Sequence, residues 1–203
     1  VQFFARTASD ARDELAECLE QLGTDYLDVL TYYYVESEAE WKQIISADGA
    51  AEVVDAARAD GVVRSVGLTS HQRDLAAEWV AGGRLDSLMI RYNAAHRGAE
   101  RDVFPVTESR NCPVVAFTCL RWGGLIQSTP DDPPGFSVPS AADCYRWVLC
   151  QPAVTVALAA PDGRQELDEV LDVISPWQAM PPGVHSAISG HGDRVYRHGG
   201  GFP

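Results

Sequence analysis

The sequence predicts an α/β fold: a parallel (β/α) barrel of the TIM type, incomplete, with about five βα units and the N-terminal units missing. Three observations carry this. Short apolar, β-prone runs recur along the chain, each followed by a stretch with helical periodicity. No Gly-x-Gly-x-x-Gly follows any of these runs, which weakens the competing doubly wound open sheet. The chain has 203 residues, whereas a complete eightfold barrel usually needs about 250. No linker divides it, so residues 1–203 read as a single barrel domain.

The elements follow in order. Leu15, Cys18, Leu19 and Leu22 mark an amphipathic helix that Ser9 or Asp10 can cap and Gly23 can end. Tyr26 to Thr31 reads as a strand buried on both faces. Ala50, Val53, Val54 and Ala57 form the next helical stripe, stopped at Gly61, and Val62 to Leu68 the next strand. Leu75, Ala76, Trp79 and Val80 predict a helix ended by Gly82-Gly83, and Leu88 to Ile90 a strand. A weaker helix near Arg101 to Ser109 precedes a strand at Val114 to Phe117. Ala141, Cys144, Tyr145, Val148 and Leu149 share one helical face, Val154 to Leu158 is a strand, and Leu167, Val170, Leu171 and Ile174 form the last stripe. Gln127 to Val138 and the Gly/His-rich tail after Pro181 read as irregular.

Composition narrows the function. A net charge of −13 repels phosphate backbones and anionic lipid, so no nucleic-acid or membrane partner is expected. No run of about 18 apolar residues is present and the N-terminus lacks the features of a signal peptide. The five cysteines contain no Cys-x-x-Cys pair, so no metal framework is expected, and a reducing cytoplasm fits free thiols.

Five segments are together similar to the aldo/keto reductase family. Leu19-Glu20-Gln21-Leu22-Gly23-Thr24-Asp25-Tyr26-Leu27-Asp28 resembles its helix-to-strand signature, and Gly61-Val62-Val63-Arg64-Ser65-Val66-Gly67-Leu68-Thr69-Ser70-His71 its next strand. Arg91-Tyr92-Asn93 followed by His96-Arg97, Ala116-Phe117-Thr118-Cys119-Leu120 with Gly123-Gly124-Leu125, and Arg146-Trp147-Val148-Leu149 with Pro152-Ala153-Val154 resemble later motifs in the same order. Tyr92 to Arg101 is similar to a bacterial branch of the family.

The resemblance implies NADP(H) as cofactor and a small-molecule carbonyl substrate. Hydride passes to the carbonyl carbon while a Tyr, assisted by Lys, Asp and His, protonates the oxygen. The family's Asp and Tyr have no counterpart in this chain. Its Lys either lies upstream too or falls on Arg6, and its His falls on Tyr33. Arg6 supplies charge but is not interchangeable with Lys at a tight site. Thr69 and Ser70 fall where the nicotinamide carboxamide is held, Phe117 where an aromatic ring stacks, and Thr118 and Leu120 beside the pyrophosphate. Met89 replaces a usual Gln, and in the last loop Arg164 is opposed by Asp162 at the 2′-phosphate position.

Plainer readings stand beside these. Tyr32, Tyr33 and Tyr34 also suit strand-end packing, and Glu36, Glu38 and Glu40 a solvated acidic loop. His71 and His96 follow strands on the side where barrel sites gather, so both are candidate catalytic residues. His185, His191 and His198 match no familiar metal-ligand spacing. Two functions follow: a reductase of aldehydes or ketones, or a truncated or remodelled non-redox relative that binds a small molecule or protein. Open sheet edges predict self-association or a partner segment that completes the sheet.

Overall fold

The computed structural model describes residues 1–174 and 177–199. Six strands pair in chain order: β1 (Gln2–Phe3), β2 (Leu27–Tyr32), β3 (Val63–Ser70), β4 (Ser87–Arg91), β5 (Val114–Phe117) and β6 (Val154–Ala157). Pairing is parallel, with Leu27 opposite Val63 and Tyr32 opposite Leu68. Strand order never reverses, as it would at the switch point of a doubly wound sheet, so the sequential barrel-type arrangement holds. The chain divides into two compact units: Val1–Met89 with Asp102–Pro113, and Ile90–Arg101 with Val114–Pro203.

In the first unit, β1 is a strand beyond the five expected. Two residues are too few to show a pattern, yet Gln2 and Phe3 pair with Thr31 and Tyr32. Helix α1 (Ala8–Leu22) is capped by Thr7, not by Ser9 or Asp10. Thr7 has the extended backbone a cap needs and its hydroxyl accepts from the Asp10 N–H, while Asp10 serves the first turn. Gly23 ends the helix as expected, in the left-handed region at φ 62°. The α1 stripe buries only as far as Leu15; Cys18 and Leu19 are half-buried and Leu22 is exposed. Likewise β2 is not buried on both faces, because Asp28 and Val29 lie exposed beside the short β1.

The acidic segment after β2 is not a loop: Ser37 caps α2 (Glu38–Ile44) and accepts from the Glu40 N–H. Helices α3 (Ala50–Ala59) and α4 (Arg73–Ala81) bury the expected faces through Val54, Ala57, Ala76, Trp79 and Val80. The weak helix near Arg101 is two short helices, α5 (Ala99–Asp102) and α6 (Phe104–Ser109). The break falls at Val103, and Pro105, which has no N–H to donate, stands in the first turn of α6.

In the second unit, α7 (Ala141–Leu149) opens with a capping box between Ser140 and Asp143 and buries Cys144, Tyr145, Trp147 and Val148. Helix α8 (Arg164–Leu171) forms where expected but buries no residue; Leu167, Leu171 and Ile174 stay exposed. The tail after Pro181 is a 17-residue helix, α9 (Pro182–His198), not an irregular stretch. Ile188, His191, Gly192 and Val195 form its buried stripe. A Cβ at Gly192 would overlap the Ala94 carbonyl, so glycine sets this close approach. Residues 200–203 of the tail lie outside the described residues.

Candidate functional site

The strand ends of the first unit gather a polar cluster. After β2 the chain passes Tyr33 and Tyr34, and Tyr34 holds φ 55°, a left-handed backbone that a bulky residue keeps only when its surroundings enforce it. Arg6 enforces it. Its Nη2 donates to the Tyr33 carbonyl at 2.7 Å and the Tyr34 carbonyl at 3.3 Å, and its Nη1 to the Phe4 carbonyl at 2.9 Å. Glu40 lies 3.7 Å from the same guanidinium. The structure thus brings Arg6 and Tyr33 together, but through the Tyr33 main chain. The Tyr33 phenol is held above its ordinary pKa by partial burial and by the neighbouring Tyr34 phenol.

His71 joins this cluster through Glu36, whose Oε1 accepts from the His71 N–H at 2.8 Å and lies 3.1 Å from its Nδ1. Gln72 donates to the other Glu36 oxygen at 3.2 Å, and the Tyr34 ring lies 4.8 Å from the His71 ring. Glu36 and Glu40 are therefore organising residues rather than a solvated run. Glu40 accepts from the Glu36 N–H and the Ser37 hydroxyl, a reciprocal cap visible in the Ser37-x-x-Glu40 spacing. Both hydroxyl residues at the end of β3 are buried. Ser70 Oγ accepts from the Gln72 N–H, whereas Thr69 Oγ1 has no protein partner. A buried hydroxyl without a partner is rare in proteins.

The second unit carries a cleft of about 960 Å³ at the C-terminal ends of β5 and β6. Thr118, Leu120 and Trp122 line it on one side, and Gly163, Arg164 and Glu166 on the other. Thr118, Arg121 and Trp122 all hold positive φ and lead into Gly123 at φ 82°. Three non-glycine residues so placed within five positions shape a strained loop of the kind that collects at binding sites. Across from it, Gly163 at φ 135° starts α8 without a side-chain cap, so the positive end of the helix opens on the cleft. Cys119 and Tyr145 also face it; burial pushes both up to about 12, which keeps thiol and phenol neutral.

Asn93, fully buried, organises the end of β4 and was not singled out from the sequence beyond its motif. Its amide donates to the Thr118 carbonyl at 2.8 Å, and its Oδ1 accepts from the Ala95 and His96 N–H groups at 3.0 Å. His96 is so placed in the second unit, with its ring against Tyr196. Phe117 is half-buried at the end of β5, next to Thr118. Met89 falls within β4. Of the expected cofactor residues, Thr118, Leu120 and Arg164 line one cleft, and Thr69 and Ser70 belong to the first unit.

His191 is part of a buried latch rather than a metal site. Its Nδ1 lies 3.1 Å from Asp132 and its Nε2 3.1 Å from the Leu125 carbonyl, while Arg194 donates to Asp132 at 2.6 Å. His198 bonds Asp131, and His185 stacks on Trp147. Among the described residues no group of three or more His, Cys, Asp or Glu is placed to hold a metal. None of the described helices is long and apolar enough to cross a membrane.

Sequential parallel strands with helices between them define an α/β protein of the barrel class. A model of the Aldo/keto reductase family matches residues 4–139, and the chain belongs to that family. Among curated relatives, an NADH-specific methylglyoxal reductase of Escherichia coli strain K12 is 22% identical over 170 residues, which cover 83% of this chain and 46% of that protein. A D-threo-aldose 1-dehydrogenase of a Pseudomonas species is 32% identical over 126 residues, covering 61% and 37%. The chain therefore spans less than half the length of these relatives. An aldo-keto reductase of Bacillus halodurans in its holo form superposes with a TM-score of 0.70 at 16% identity, covering 91% of this chain and 67% of that one. Its apo form gives 0.68 at 17%.

Proposed function

We propose that this chain serves an NAD(P)H-dependent oxidoreductase that converts an aldehyde or ketone and a proton to the alcohol. The observation that carries the reading is the second-unit cleft, where the strained loop Thr118–Gly123 faces the uncapped start of α8. Such a start suits a pyrophosphate, and Thr118, Leu120 and Arg164 are the residues that would hold the adenosine diphosphate half. The names of both curated relatives also describe redox enzymes. When bound, the dihydronicotinamide supplies hydride to the carbonyl carbon. The Phe117 ring, at the end of β5 in the same unit, is a stacking surface.

For proton supply this chain offers the Tyr33 phenol and the imidazoles of His71 and His96. Both imidazoles are held on their Nδ1 side, His71 by Glu36 Oε1 at 3.1 Å and His96 by Asn93 Oδ1 at 3.3 Å. Two observations favour a non-redox relative instead: Arg6 directs its N–H groups to main-chain carbonyls, and partial burial together with Tyr34 raises the Tyr33 phenol rather than lowering it. The five free thiols support a reducing compartment, in keeping with a cytoplasmic protein. Exposed Phe4, directly after edge strand β1, and Val156, in edge strand β6, support self-association or a completing segment.

Titration with NADH and NADPH, followed by Trp fluorescence and thermal unfolding, tests the reading. Saturable binding that raises Tm, worth about 2.7 kcal/mol at a hundredfold excess over Kd, is the expected result. No binding of either cofactor up to millimolar concentration favours the non-redox relative.

A further inference from the structure

We infer that the second-unit cleft selects NAD(H) over NADP(H). The inference rests on the cofactor reading above and adds which of the two dinucleotides the cleft admits. Its ionisable lining, apart from the neutral Cys119 and Tyr145, consists of Asp162, Arg164, Glu166 and Glu169, three carboxylates against one guanidinium. Arg164 is not held ready for an incoming phosphate, because its Nε donates to both oxygens of Asp168 at 2.8 Å. Its side chain is 84% exposed and the three carboxylates are exposed as well, so solvent screens all four charges and the balance of signs decides.

The two dinucleotides share the pyrophosphate, which the α8 start can attract through its N–H groups. They differ by one phosphomonoester on the adenosine ribose, which carries close to two negative charges at neutral pH. Sites that select such a group surround it with arginines that grip it in pairs. In this cleft the same group would enter a lining that carries Asp162, Glu166 and Glu169, and the chain's net charge of −13 adds to the repulsion. A free ribose diol reverses the sign of that interaction, because carboxylate oxygens accept from its hydroxyls. Glu166 is partly engaged, accepting from the Asp162 N–H at 2.7 Å and so fixing the loop, which leaves the Asp162 and Glu169 carboxylates of the lining as acceptors.

Parallel titrations of the chain with NADH and NADPH test this. NADH is expected to bind at least tenfold more tightly, a difference of about 1.4 kcal/mol. The gap should narrow as salt rises, since screening weakens a repulsion. Glu169 is exposed, so E169Q and E169K should fold. E169K should close the gap at least fivefold, mainly by tightening NADPH, with E169Q in between. NADPH binding as tight as NADH, or a ratio indifferent to both salt and E169K, overturns the inference and leaves the cofactor reading intact. Failure of both dinucleotides to bind overturns the cofactor reading, and the inference with it.

Discussion

The two units treat polar groups at their strand ends in opposite ways. In the first, Arg6, Glu36, Glu40 and His71 satisfy one another and the backbone, and they hold Tyr34 in a strained conformation. In the second, a strained loop and an uncapped helix start leave a cleft of about 960 Å³ between them. A closed network positions side chains, whereas an open one leaves donors for a ligand. Substitutions in the first cluster should therefore change stability or geometry, and those around the cleft should change binding.

The largest effect is expected at the latch that fastens the second unit's long loop to α9. Burial opposes ionisation of Asp132, but the Thr129 N–H, Arg194 and His191 outweigh it and hold the carboxyl well below the usual carboxylate range. A depressed pKa contributes stability that is present above the unfolded value near 4 and lost as pH falls toward the folded one. D132N should cost about 3 kcal/mol at neutral pH, because Arg194 and His191 lose an ionised partner, and should flatten the acid limb. Urea unfolding between pH 3 and 7 reads both; an unchanged acid limb counts against the latch.

Next comes Glu36. E36Q weakens its bonds to His71 and Gln72 and should cost about 1.5 kcal/mol. If the first cluster only positions groups, cofactor affinity in E36Q should stay within about twofold of wild type, a shift of about 0.4 kcal/mol. A larger loss of binding would erase the contrast between the units. R6A should cost about 1 kcal/mol through the lost carbonyl bonds of Tyr33 and Tyr34. Chemical rescue of R6A activity by added guanidinium would instead make Arg6 part of the reaction.

The smallest stability effect belongs to Thr69. Its hydroxyl is buried without a protein partner, so T69V should leave Tm unchanged or slightly higher. A clear loss of stability in T69V would mean that the hydroxyl has a structural partner.

Much of this was legible in the sequence. Apolar runs such as Val114–Phe117 and the Gly23 stop gave strands and a helix end because parallel strands and C-caps depend on local residue types. The cleft was half legible: Thr118, Leu120 and Arg164 were named from motifs, and Asp162 was marked as opposing a phosphate. Helix α9 was hidden because His191 and Gly192 occupy stripe positions that apolar residues usually fill. The latch joins Asp132 to a residue 59 positions away, and no local pattern carries such a pairing. The left-handed backbone of Tyr34 is likewise imposed from outside, by Arg6.

The most direct test of the central claim is amide hydrogen exchange of the whole chain with and without saturating NADH. Slowed exchange concentrated in residues 118–126 and 159–170, with the Arg6–Glu36–His71 region little changed, is the result this account expects. Protection absent from those two segments while NADH is bound would contradict it and place the cofactor elsewhere.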